Sequence, residues 1–127
     1  MQPLRQLLST CLAARRAWRW ALATLFMAVS YLALTPDPPP YIDTGWDKAN
    51  HLLAFGALAF AARFALPPAR WQGTLIVLAL LGYGVLIEVL QSFVPGRQAE
   101  FADVLADGVG IGVGLLAAWT TERNSRN

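Results

Sequence analysis

The sequence predicts an all-α integral membrane bundle of four antiparallel transmembrane helices with a short N-terminal interfacial helix. Of its 127 residues, 56% are hydrophobic and only 14% are charged, whereas a soluble domain of this size exposes much of its surface to water. Four apolar runs of roughly 20 residues, the length that crosses a bilayer, use nearly all of the chain. We therefore expect a single membrane domain over residues 1–127, with spans at 17–34, 49–66, 74–94 and 103–120.

Proline and glycine mark the predicted ends of the spans. A proline-rich segment at 35–40 follows span one, Pro67-Pro68 follows span two, and Pro95-Gly96 follows span three. Proline does not continue a helix, and these pairs are typical of turns. The resulting connections are short, which places neighbouring helices antiparallel.

Leucines at helical spacing, with arginines nearby, precede span one from Leu4 to Leu12. The pattern predicts a short helix on an anionic leaflet. A cleavable signal peptide is the alternative, but no convincing small-x-small cleavage site precedes the prolines, so we expect span one to be permanent. Cys11 is the only cysteine, which leaves no intrachain disulfide.

The basic residues predict the orientation. Only Lys48 and Arg97 fall on one side, and the arginines at positions 5, 15, 16, 19, 63, 70, 123 and 126 fall on the other. Basic residues favour the cytoplasmic side, so both termini are expected there. Four tryptophans fall at the predicted inner boundary and Trp46 at the outer one, as amphipathic rings prefer. The arginines flank apolar runs rather than forming a polar face, so no nucleic-acid partner is expected.

Ionisable residues of three spans gather at the predicted outer face. Residues 47 and 51, 88 and 91, and 103 and 107 form pairs three or four apart, so each pair shares a helix face. A charge inside a membrane is costly and usually functional. We therefore predict a ligand-binding site composed of Asp47, Lys48, His51, Glu88, Gln91, Arg97, Asp103 and Asp107.

A structural role is the alternative for these residues, because polar side chains also hydrogen-bond across a bundle and set helix register. Uncharged serine, threonine or asparagine would do this at lower desolvation cost, which favours a site for a charged ligand. In span four, Gly110 and Gly114 lie on a stripe of small residues typical of close helix packing. Gly108-x-x-x-Gly112 alternatively predicts a homo-oligomer.

Four segments together are similar to the VanZ-like family: residues 47–51 (DKANH), 88–91 (EVLQ), 95–97 (PGR) and 103–110 (DVLADGVG). The resemblance covers about residues 43 to 118. It implies a small polytopic protein of the bacterial cytoplasmic (inner) membrane, in a family named for a member linked to teicoplanin resistance. Asp107 stands where the family often has asparagine, which adds a charge at a buried position.

Two functions remain open. The first is a noncatalytic pocket that binds a lipid headgroup, a lipid-linked envelope precursor or an amphiphilic antimicrobial such as a glycopeptide, with Lys48 and Arg97 attracting phosphate. The second is a membrane enzyme acting on a lipid-linked phosphate or peptide, with His51 or Glu88 as general base and Arg97 as the charge clamp.

Metal chemistry and transport have weaker support in the sequence. His51 with Asp47, Asp103 and Asp107 lacks a zinc-type spacing, so we expect no metal and no other cofactor. Transport needs a continuous polar path, and the inner halves of spans two to four carry few polar side chains. A binding pocket is therefore the principal prediction, with the enzyme as its alternative.

Overall fold

The structure, a computed structural model, describes residues 2–37 and 47–127. Within these ranges it is all-α. The five helices are α1 (Gln2–Ala13), α2 (Arg15–Leu34), α3 (Asp47–Ala65), α4 (Gln72–Gln91) and α5 (Phe101–Arg126). Trp46 and the segment 38–40 of the predicted proline-rich turn lie outside the described residues.

Three helices are long and apolar enough to cross a membrane, namely α2, α4 and α5. The third helix, α3, is not among them, because Asp47, Lys48 and Arg63 make it more polar. It is instead the centre of the bundle, packing most extensively on α5 and then on α2. The apolar core forms around it, from Phe55, Leu58, Ala59, Ala62, Ile76, Leu80 and Ile111.

The distribution of polarity suits a membrane environment. Large apolar side chains such as Leu78 on α4 and Val113 on α5 are exposed, which is favourable where the surrounding solvent is lipid. The buried side chains, by contrast, include His51, Gln72, Glu88, Gln91, Asp103 and Asp107. Three apolar helices with outward-facing hydrophobic surfaces identify a membrane protein whose polar groups are gathered inside.

Two helix ends differ most from the sequence prediction, and the other bounds agree within two residues. α4 ends at Gln91 rather than at residue 94, because Phe93 and Val94 donate turn hydrogen bonds to Leu90 and Gln91. Pro95 disfavours helical backbone in the residue before it, and Gly96 (φ 80°) provides the left-handed turn. α5 starts at Phe101 and continues to Arg126, beyond the apolar run that ends near residue 120.

Helices α3 and α5 cross at glycines. A Cβ on Gly110 would clash with the backbone of Leu52, and one on Gly114 with the backbone of Gly56. Only hydrogen in place of a side chain permits this approach. The stripe through Gly110 and Gly114 therefore packs inside the chain. Gly112 has no neighbour within 4 Å of such a Cβ, and a homo-oligomer through Gly108 and Gly112 remains a prediction.

Gln72 ties together the end of the bundle where α3 finishes and α4 begins. Its side chain is 3% exposed, and its Nε2 donates to the carbonyls of Arg63, Leu66 and Pro67 at 3.2, 3.0 and 3.2 Å. The Gln72 Oε1 accepts from Arg63, whose Nη2 also donates to Glu122 at 2.9 Å. One buried amide thus satisfies carbonyls at the C-terminal end of α3 that have no helical partner.

Gln72→Ala is expected to lower the free energy of unfolding by about 1–3 kcal/mol, because it leaves buried carbonyls unpaired. Unfolding by SDS in mixed micelles, followed by tryptophan fluorescence, measures this. Gln98→Ala, at an exposed position, is the control and should change stability little. Equal effects from the two substitutions would contradict the capping role.

Candidate functional site

Side chains from α3, α4 and α5 converge at the end of the bundle where α4 finishes and α5 begins. We call His51, Glu88, Asp103 and Asp107 the acidic cluster. His51 and Glu88 are 8% and 7% exposed, and Asp103 and Asp107 are fully buried. Asp103 and Asp107 are one turn apart near the start of α5 and so share a face toward α3, as the spacing predicted.

His51 is held by Asp107. The His51 Nδ1 lies 2.7 Å from Asp107 Oδ1, a buried hydrogen bond in which the imidazole N–H donates to the carboxylate. Gly84 on α4 leaves the space for this carboxylate, because a Cβ at that position would collide with Asp107 Oδ2 and approach Phe55. This contact sets the orientation of the ring and directs Nε2 toward Glu88 and Asp103.

The Nε2 of His51 faces carboxylate oxygens that it does not reach. It lies 3.6 Å from Glu88 Oε1 and 4.0 Å from Asp103 Oδ2, both too long for a hydrogen bond. Glu88 Oε1, both Asp103 oxygens and Asp107 Oδ2 are buried without a hydrogen-bond partner. Buried polar atoms are rarely left in this state, so these oxygens are the atoms of the cluster that can accept a further bond.

A rim of charged residues borders the cluster. Lys48 Nζ donates to Glu100 Oε2 at 2.8 Å and lies 3.7 Å from Asp103 Oδ1. The hydrogen bond from Lys48 lowers the pKa of the exposed Glu100 carboxyl below its usual range. The backbone N–H of Glu100 donates to Glu88 Oε2 at 3.0 Å, which connects the loop before α5 to the cluster.

Asp47 is exposed at the beginning of α3. One potential ligand atom from each of Asp47, His51 and Asp103 lies within 4.8 Å of the other two, close enough for a shared metal ion. Sequence reasoning found no metal-type spacing because these residues come from two helices whose separation in sequence is large. Tertiary packing, rather than a local motif, brings them together.

Two residues of the predicted site, Arg97 and Gln91, donate hydrogen bonds to carbonyls at the C-terminal end of α2. Arg97 donates from Nε to the Thr35 carbonyl at 2.9 Å and from Nη2 to the Leu32 carbonyl. Gln91 donates to the carbonyl of Ala33 at 2.9 Å. The guanidinium thus satisfies carbonyls at the C-terminal end of α2. The sequence analysis expected this charge to bind a ligand instead.

Sequence reasoning missed Glu100 and Gly84. Glu100 immediately precedes α5 and lies three residues before Asp103, so its position near the cluster could have been inferred from helical spacing. Gly84 lies one turn before Glu88 on α4, but its proximity to Asp107 follows only from the packing of α4 on α5. No local signal identified it.

An open apolar groove of about 420 Å³ lies between α3 and α5, and Lys48 is the one charged residue among those that line it. Its walls come from α3 and α5, and it is lined by Lys48, Ala49, Leu52, Leu53, Leu105, Ala106 and Val109. Apolar walls with a charged residue beside them match the two parts of an amphiphile, an apolar chain and a charged headgroup.

A model of the VanZ/LLP1 family matches residues 15–122. The match includes α2, α3 and α4 in full, the loop that carries Arg97, and the acidic cluster. The chain matches no curated protein and no solved structure. Three of the four segments that resemble the VanZ-like pattern, residues 47–51, 88–91 and 103–110, supply residues of the cluster and its rim, whereas Arg97 in residues 95–97 contacts the end of α2. The chain belongs to the VanZ/LLP1 family.

Proposed function

We propose that this VanZ-family membrane protein binds a phosphate-bearing amphiphile, a lipid or a lipid-linked envelope precursor, with its chain in the apolar groove and its headgroup at Lys48. The apolar groove that has Lys48 among its lining residues carries the proposal. An apolar tail gains dispersion contacts there, and an ammonium group attracts phosphate. Lys48 keeps 36% of its side chain exposed despite its pairing with Glu100, so a headgroup can reach it.

The proposed topology has four antiparallel spans, with α3 crossing inside the bundle and α1 on the cytoplasmic leaflet. Arginines concentrate at the end opposite the acidic cluster, where Arg70 lies over Trp71 and Arg123 over Trp119, at 5.2 and 5.5 Å from the rings. Basic and tryptophan side chains together are typical of a cytoplasmic interface. The cluster would then face outward from the bacterial inner membrane, where envelope precursors are used.

The enzyme alternative receives less support. Its charge clamp, Arg97, donates to backbone carbonyls of α2, and the Ser92 hydroxyl donates to the Val89 carbonyl rather than to a base. An activated nucleophile needs a base within hydrogen-bond reach. Noncatalytic binding is therefore the function that we favour, and a change in envelope properties would follow from sequestering or presenting the amphiphile.

The test compares a long-chain isoprenyl phosphate with the matched isoprenyl alcohol, titrated into the purified chain and counted by native mass spectrometry. Lys48→Gln should weaken phosphate binding by about 10- to 100-fold, the equivalent of one charge-assisted hydrogen bond, and leave binding of the alcohol unchanged. Ala106→Phe, which fills the groove, should weaken both.

Val113→Phe is the matched control, because Val113 is exposed on α5 and does not line the groove. It should bind both compounds as the unaltered chain does. The proposal fails if Lys48→Gln binds the phosphate normally. It also fails if a long-chain alkylamine displaces the phosphate and binds more tightly, since the site would then select a cationic amphiphile.

A further inference from the structure

We propose that Asp47, His51 and Asp103 bind a divalent transition-metal ion, with Asp107 positioning the imidazole and Glu88 facing the same imidazole nitrogen from α4. The inference goes beyond amphiphile binding and rests on the acidic cluster rather than on the groove. It would also explain how an acidic cluster comes to lie beside a phosphate: the ion would offset the negative charge.

Asp103 is the first argument. Its side chain is completely buried, and neither oxygen has a hydrogen-bond partner. A buried carboxyl group avoids an uncompensated charge by taking up a proton or by binding a cation. A proton alone would give Asp103 no hydrogen bond to the nearest groups at these separations, 3.7 Å to Lys48 and 4.0 Å to His51. A cation between the carboxylates satisfies several of their oxygens at once.

The orientation of His51 is the second argument. Metal-bound histidines usually donate their other ring N–H to a carboxylate, which fixes the tautomer and aims the free lone pair. Asp107 Oδ1 accepts from His51 Nδ1 at 2.7 Å in this way. The lone pair on Nε2 is then directed toward Glu88 Oε1 and Asp103 Oδ2. An N–H at Nε2 would lie too far from either oxygen to donate a hydrogen bond, whereas an ion between them would bond to both the imidazole and a carboxylate.

The distances fit an ion after small side-chain adjustments. Bonds of about 2.0–2.2 Å place two ligands of one ion roughly 3.0–3.6 Å apart. The His51 Nε2 lies 3.6 Å from Glu88 and 4.0 Å from Asp103. One ligand atom from each of Asp47, His51 and Asp103 lies within 4.8 Å of the other two, so these three residues can share an ion after small side-chain movements. One imidazole with several carboxylates favours an ion such as Mn²⁺, Fe²⁺ or Zn²⁺ over Ca²⁺ or Mg²⁺, which prefer oxygen ligands alone.

The experiment uses the full chain in detergent, stripped with EDTA and kept free of added amphiphile. Mn²⁺ is titrated, and the loss of the free-ion EPR signal gives the affinity and stoichiometry; Zn²⁺ is then added as competitor. One bound Mn²⁺ per chain, displaced by Zn²⁺, is expected. Asp103→Asn and Asp47→Asn should abolish this binding, and Asp107→Asn should weaken it about 10- to 100-fold, as for a lost outer partner of a ligand.

Asp37→Asn removes an exposed carboxylate outside the cluster and is the control; it should bind Mn²⁺ as the unaltered chain does. The metal should also raise the thermal unfolding temperature of the unaltered chain and leave that of Asp103→Asn unchanged, which keeps the result interpretable if one variant folds poorly. The inference is overturned if neither ion binds at millimolar concentration, or if Asp103→Asn binds normally.

Failure of the metal site and failure of amphiphile binding are distinguishable. The metal titration contains no amphiphile, and the isoprenyl phosphate titration is run with and without EDTA. If both proposals hold, EDTA should weaken binding of the isoprenyl phosphate and leave binding of the alcohol unchanged. If the phosphate binds equally well in EDTA and Mn²⁺ does not bind at all, only the metal site is rejected.

Discussion

Asp107→Ala is expected to lower the free energy of unfolding by about 3–5 kcal/mol, because a buried N–H loses its hydrogen-bond acceptor and a cavity is left behind. Asp107 is fully buried and accepts the His51 Nδ1 hydrogen bond at 2.7 Å. Alanine leaves that N–H unpaired. It also opens a void where the Asp107 carboxylate lies in the unaltered chain, beside Gly84 and Phe55. Asp107→Asn retains the shape and a carbonyl acceptor, so its cost should be smaller.

Asp103→Asn is expected to act in the opposite direction when metal is chelated, raising the free energy of unfolding by about 1 kcal/mol. Asp103 has no hydrogen-bond partner, and asparagine removes the cost of burying its charge. The lost attraction to Lys48 at 3.7 Å offsets part of the gain, since Lys48 is partly exposed. The two aspartates therefore differ: Asp107 stabilises the fold, and Asp103 is kept at a cost, as binding residues often are.

Unfolding by SDS in mixed micelles with EDTA, read by tryptophan fluorescence, measures both effects. Asp37→Asn, exposed and outside the cluster, should shift the transition little. If Asp103→Asn destabilises the chain as strongly as Asp107→Ala does, both carboxylates hold the helices together, and the case for a binding site at Asp103 is lost.

Gly114→Val is expected to produce the second large effect, a loss of about 3 kcal/mol or more in the free energy of unfolding, because overpacking a close contact typically costs about 1–3 kcal/mol and occasionally more. The first atom of the new side chain would meet the backbone of Gly56. Backbone cannot rotate aside as a flexible side chain does, so α3 and α5 would have to separate. Gly110→Ala should be milder and act on the contact with Leu52.

Gly112→Val on the same helix is the matched control, because nothing lies within 4 Å of a Cβ at that position. It should leave the monomer's stability nearly unchanged in dilute detergent. Chemical cross-linking of the same variant addresses the homo-oligomer prediction, since valine should reduce a dimer formed through Gly108 and Gly112. Equal destabilisation by Gly114→Val and Gly112→Val would contradict the proposed helix crossing.

The polar pairs show how far sequence reasoning reaches into the site. Helical spacing predicted that Asp103 and Asp107 share a face, and the structure shows both on the buried face of α5. Spacing did not reveal that Arg97 returns to the carbonyls of α2. That contact depends on the left-handed turn at Gly96 and on where α2 ends, and neither is encoded in the arginine itself.

The sequence by itself determined the helical class, the membrane character, the family pattern and the three helices that supply polar residues, because periodicity and composition are local properties. Only the tertiary structure decided that α3 lies at the centre, that Asp107 orients His51 while Asp103 has no hydrogen-bond partner, and that Lys48 lines an apolar groove. Those outcomes depend on how closely α3 and α5 approach at Gly110 and Gly114. Contacts between residues far apart in the sequence set that distance, and no local sequence pattern predicts it.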